Sequence, residues 1–152
     1  MSNLQVSDDI RLAQHVVLEQ QRQFEDLGLA YEGTQVEHSQ VAGEAGVFLF
    51  RNGNNGIAVR FAIFPHASGN RHGLSALLLN KEGQKLNIDD YLEIHRRPNP
   101  MREAASSLAE SDLASFVRSC VAELLILLAG DLREILDGNR WEAVPFNWHG
   151  YR

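Results

Sequence analysis

Residues 45–63, AGVFLFRNGNNGIAVRFAI, decide the fold of this chain. Ala45, Val47 and Leu49 alternate with Gly46, Phe48 and Phe50, and after the turn Ile57, Val59, Phe61 and Ile63 alternate with Ala58, Arg60, Ala62 and Phe64. A period of two marks a strand, because successive side chains point to opposite faces of a sheet. The intervening Asn52-Gly53-Asn54-Asn55-Gly56 is rich in residues that take positive φ at little cost. The two runs therefore form a β-hairpin, with a loop longer than the two-residue ideal. The alternation puts Phe48, Phe50 and Phe64 on one face and Val47, Leu49, Ile57 and Val59 on the other. Both faces carry apolar residues, so the sheet invites a cover on each side, one of them supplied by a partner.

Working outward, Pro65 ends the second strand, and His66 to His72 form a polar loop. Leu74 to Leu79 make another strand, closed by Asn80-Lys81-Glu82-Gly83. A weaker strand lies between Leu29 and Gln40, with Tyr31, Gly33, Gln35 and Glu37 on one side. The result is an antiparallel meander of about four strands. Before it, Asp8 to Leu27 read as an amphipathic helix with Ile10, Ala13, Val17, Phe24 and Leu27 on one stripe, capped by Ser7 and stopped by Gly28. After it, Asn87 with Asp90 three residues on looks like a helix start. That short helix is broken by Arg96-Arg97-Pro98-Asn99-Pro100, since each proline biases its predecessor away from helix.

A long hydrophobic helix follows, opened by the capping-box form Ser107-Leu108-Ala109-Glu110 and closed by Gly138. Leu113, Phe116, Val117, Val121, Leu124, Leu125, Leu128, Leu132, Ile135 and Leu136 recur at helical spacing, while Ile126, Leu127 and Ala129 fill much of the opposite face. A helix apolar nearly all round must be covered on most sides. The expected fold is thus α+β and a single domain over 1–152: N-terminal helix, meander, short helix, then the long helix packed on the sheet. Surplus apolar surface at Ile126 and Leu127 fits either a homodimer seam or burial within a monomer.

Composition narrows the function. Fourteen Lys and Arg against twenty Asp and Glu leave a net charge of −6, which disfavours nucleic acid and anionic membranes as general partners. The apolar run Val121 to Ala129 is shorter than the about 20 residues a bilayer span needs. No charged region followed by an apolar core and cleavage site opens the chain, so a cytoplasmic protein is expected. The single cysteine, Cys120, excludes an internal disulfide and a cysteine zinc site and reads as a small buried hydrophobe.

Chemistry-bearing motifs are scarce. The six histidines show no ligand pair at helical spacing and no zinc pattern, so no metal and no cofactor is expected. Gly-x-Ser-x-Gly is absent, and the Asn-Gly loop leads from strand to strand rather than into the helix N-terminus of a phosphate cradle. Asp8-Asp9 and Asp89-Asp90 sit at helix starts, where the helix dipole favours negative charge. Three groups are candidate binding residues. The loop residues His66, Arg71 and His72, with Arg60 projecting from the sheet, would suit a carboxylate or phosphate. His95, Arg96 and Arg97 follow the short helix. Trp148, His149 and Tyr151 in the C-terminal segment are of the types enriched at binding hot spots.

Two functions are therefore expected. The first is a non-enzymatic domain that binds and masks another protein. In size, acidity and helix–sheet–helix order the chain is similar to toxin-neutralising immunity proteins and secretion chaperones of bacteria, a likeness of architecture without a shared motif. It implies a protein partner whose basic active site or hydrophobic segment is covered. The second is a small-molecule domain in which Arg60, His66, Arg71 and His72 position an anionic ligand, with a histidine as general acid or base.

Overall fold

The computed structural model describes residues 7–39, 43–53, 55–64, 72–108, 112–137 and 140–141. Among them the chain runs through α1 (Asp8–Glu19), α2 (Gln21–Asp26), β1 (Ala30–Ser39), β2 (Gly43–Arg51), β3 (Gly56–Ile63), β4 (His72–Leu79) and β5 (Lys85–Asn87). The helices α3 (Ile88–Ile94), α4 (Pro100–Leu108), α5 (Leu113–Ala129) and α6 (Arg133–Leu136) follow. The architecture is α+β, as expected. The strands form one antiparallel meander in the order β1-β2-β3-β4-β5, one short strand more than the periodicity announced.

The register settles which side chains share a face. Phe50 stands opposite Ile57, Ile57 opposite Leu78, and Leu78 opposite Leu86. The next row is Phe48, Val59 and Ala76. All are buried in a cluster with Ile10 and Val17 of α1 and with Phe116, Val117, Val121 and Leu124 of α5. Ile57 and Val59 thus share the covered face with Phe48 and Phe50, not with Val47 and Leu49 as the alternation alone suggested. The reason is the turn. Arg51 pairs with Gly56, and the backbone hydrogen bond from Asn52 N–H to Asn55 C=O (2.9 Å) locks that register. Directly paired residues point the same way. Phe64 falls just beyond β3, half-exposed, and its ring lies where a Cβ on Gly73 would stand.

A bulge explains a second departure. Tyr31 pairs with Phe50 while Gly33 pairs with Leu49, so Glu32 is the extra residue in β1. One inserted residue reverses the facing of everything before it. Tyr31 therefore turns to the covered side, its ring 5.5 Å from that of Phe50, while Gly33 and Gln35 pair with the uncovered face of β2.

Local signals set most helix ends. Ser7 Oγ accepts from the Ile10 N–H (3.2 Å), and Asn87 Oδ1 from the Asp90 N–H (3.2 Å). The expected helix over Asp8–Leu27 is broken at Gln20, whose side-chain amide donates to the Arg118 carbonyl on α5 (3.3 Å). Pro100 is both a breaker and a start. It opens α4, and Asn99 Oδ1 accepts from the N–H groups of Met101 and Arg102. Proline suits a first helical position because its missing N–H would be unpaired there anyway. Ser107 consequently lies inside α4, and Asp112 caps α5 in its place, accepting from the Ala114 N–H (3.3 Å). Gly130 ends α5, and Gly138 lies outside the described residues.

α1 sits low on the sheet because β2 has a glycine beneath it: a Cβ on Gly46 would come within 2.8 Å of Ile10 Cγ2. Leu127 is buried, whereas Ile126 is 64% exposed, so the middle of α5 is covered on all but one stripe. No helix among the described residues is long and apolar enough to cross a membrane.

Candidate functional site: the uncovered sheet face

Among the described residues, no helix covers the second face of the sheet. Its rows follow from the same register. One is Gln35, Val47, Arg60 and Ser75, the next Gly33, Leu49, Ala58, Leu77 and Asn87, and the last Arg51, Gly56, Leu79 and Lys85. The middle row has an alanine at its centre. Ala58 is flanked directly by Leu49 and Leu77, and this dip, with Gly56 one row on, hollows the surface. Gly56 cannot be replaced freely, since a Cβ there would stand 2.6 Å from the Phe50 carbonyl oxygen. The outcome is a groove of about 520 Å³ with Val47, Leu49, Ala58, Leu77 and Leu79 as its floor.

Charge rims this floor. Arg51, Arg60, Lys81 and Lys85 line the groove against one lining carboxylate, Glu37. Arg60 Nε donates to Glu37 Oε1 at 3.2 Å, and Arg51 Nε lies 3.3 Å from Glu32 Oε1. Both pairs are open to solvent and so contribute little to stability. Lys81 and Lys85 have no carboxylate partner among the described residues. A net cationic groove on a chain of charge −6 is a local inversion of sign.

The candidate residues named from the sequence divide among several places. Arg60 lines the groove. His72 does not: it belongs to the other face, where its Nε2 is 3.0 Å from Asp9 Oδ2 on α1 and its ring stacks on Phe61 at 5.5 Å. In the β3–β4 register Arg60 pairs with Ser75 and His72 with Ile63, three positions apart and hence on opposite faces. These two cannot hold one ligand between them. His66 and Arg71, like Trp148, His149 and Tyr151, lie outside the described residues.

His95, Arg96 and Arg97 follow α3. The His95 ring packs 4.4 Å from that of Tyr91, and Arg96 takes the left-handed backbone (φ 53°) that turns the chain out of the helix. Arg97 N–H donates to the Leu92 carbonyl (2.9 Å), and its guanidinium lies 3.6 Å from Asp131. Arg96 and Arg97 line a shallow polar hollow with Arg102, Asn99, Asp89, Glu93 and Glu103. Three cations meet three carboxylates there, so the hollow has no excess charge to offer an anion.

Arg51, Lys81, Lys85, Leu49, Leu77 and Leu79 are groove residues that motif reading passed over. Lys81 read as turn punctuation and the leucines as generic strand core. Their neighbourhood depends on the β2–β3 register, which the four residues between Arg51 and Gly56 set and which loop composition does not reveal. Among the described residues, no group of three His, Cys, Asp or Glu side chains is placed to hold a metal. Cys120 is buried in α5, its Sγ 3.6 Å from the Met101 carbonyl oxygen. Burial, with the carboxylates of Asp89 and Glu123 adding to it, pushes this thiol up to about 11, away from nucleophilic use. Compared with known proteins, the chain matches no family model, no curated protein and no solved structure, so its site is defined by its own geometry alone.

Proposed function

We propose that this is a non-catalytic protein-binding domain whose uncovered sheet face receives and masks a segment of another protein. The observation that carries this reading is the asymmetry of the sheet. Phe48, Phe50, Ile57, Val59, Phe61 and Leu78 on one face are fully buried, while Val47, Leu49, Leu77 and Leu79 on the other are left partly open. A two-layer domain with an apolar second face is one layer short of the arrangement that buries both sides of a sheet. The cationic rim favours masking of an apolar segment over masking of a basic active site, because like charges placed across an interface oppose binding.

The reading with a small anionic ligand is weaker on this geometry. Of its four residues, Arg60 and His72 point to opposite sides of the sheet and His66 and Arg71 lie outside the described residues, and the groove is an open sheet face, whereas small-molecule sites enclose most of their ligand.

Site-specific photocrosslinking tests the proposal. A benzophenone side chain at position 77, on the groove floor, should give a discrete heteromeric adduct in the source cells. The same group at position 22, on the solvent side of α2, should not. Adducts of equal yield at both positions, or none at position 77, would remove the sheet face as the interface.

A further inference from the structure

We infer that the segment received by this groove is acidic and amphipathic, with carboxylates bracketing a short apolar stretch. This rests on the sheet-face reading above and adds the chemistry of the partner.

Arg51 and Lys85 lie in one cross-strand row, with Lys81 in the turn that follows Leu79. Arg60 lies in the row of Val47, four residues further along β2. At about 3.4 Å per residue these rows are about 14 Å apart. Between them runs the apolar row Leu49, Ala58 and Leu77. The groove therefore presents cation, apolar floor and cation in that order along the strands. Arg60 and Arg51 hold Glu37 and Glu32 through exposed contacts, which a partner's carboxylate can replace at little cost. Lys81 and Lys85 need no such exchange.

A basic segment would meet four cations, and a purely apolar one would leave those cations crowded at its ends. Acidic residues at both ends of an apolar core satisfy rim and floor together. The chain as a whole is acidic, so the groove's excess of cations gives such a segment a preferred place to lie.

The test is selection from a displayed library of random 15-residue peptides on the intact protein, with counter-selection on the Leu49→Asp/Leu77→Asp variant. Groove-dependent peptides should be enriched in Asp and Glu flanking an apolar centre. The most enriched peptide, made synthetically, should lose at least tenfold in affinity for the Lys81→Glu/Lys85→Glu variant, whose changes sit on an exposed turn and edge and whose melting temperature confirms folding. Groove-dependent peptides that are neutral or basic, or an affinity indifferent to charge reversal, would overturn the acidic partner while leaving the docking face intact. Absence of any groove-dependent peptide would overturn both. Self-association of the protein that disappears in Leu77→Asp would name a second copy of the chain as the occupant and likewise overturn the inference.

Discussion

Leu77 and Leu78 are consecutive residues of one strand, and the sheet's asymmetry predicts that truncating them has very different consequences. Leu78 is 0% exposed and stands between Ile57 and Leu86 under the helices. Leu78→Ala removes buried methyl groups from a site walled by the core and should cost about 3 kcal/mol, within the range of about 2–5 for such cavities. Leu77 is only partly buried, faces the groove, and has Ala58 beside it. Its truncation opens no cavity, because the space it leaves is already continuous with solvent. Leu77→Ala should cost at most about 1 kcal/mol. For a domain of this size each kcal/mol moves Tm by about 2–4 °C. Leu78→Ala should therefore melt about 6–12 °C below the parent protein, and Leu77→Ala no more than about 4 °C below. Thermal melts followed by circular dichroism, repeated over a hundredfold range of protein concentration, measure both. Equal losses for the two variants would refute the reasoning, since they would mean that the Leu77 face is covered in the free protein. A concentration-dependent Tm in the parent protein that Leu77→Ala weakens would identify the cover as another copy of the chain.

Two further outcomes follow from the packing of α1 and α5. Gly46→Ala should destabilise by about 1–3 kcal/mol because its Cβ would stand 2.8 Å from Ile10 Cγ2. Ile10→Ala removes the clashing atom, so the double variant should lose less than the two single losses summed, a coupling that urea midpoints of all three variants resolve. The Cys120 thiol, ordinarily near 9.0, is raised to about 11 by burial. Between those values the folded chain retains a proton that the unfolded chain has lost. Stability should thus fall as pH rises from about 9 to about 11, with no contribution from this group below that window. Urea midpoints at pH 8.5 and 10.5 should show a smaller drop for Cys120→Ala than for the parent; an identical drop would contradict the assignment.

Much of the fold was legible because its determinants are local. The Ser7 and Asn87 caps act over three residues, and the alternation in β2 and β3 is written in consecutive side chains. Where local signals competed, the order of precedence was not visible. Ser107 has the form of a cap, yet Pro100 with Asn99 starts a helix earlier and encloses it, leaving Asp112 to cap α5. The facing of Tyr31 was not legible either, because nothing in its neighbours announces that Glu32 is the extra residue of a bulge. The candidate site fared worst. Arg60 was recognised, but its supposed companion His72 has opposite parity in the β3–β4 ladder.

By itself, then, the amino-acid sequence determined the α+β class, the hairpin at its centre, the helix that must be buried, and the acidic charge. Each of these rests on periodicity, capping or composition, which are properties of short segments. The tertiary structure alone decided that Ala58 lies between Leu49 and Leu77, and that Arg51, Arg60, Lys81 and Lys85 rim that floor. The strand residues among them come from different strands and meet only through the pairing register. A slip of one residue in a strand would have sent that strand's groove residues to the other face.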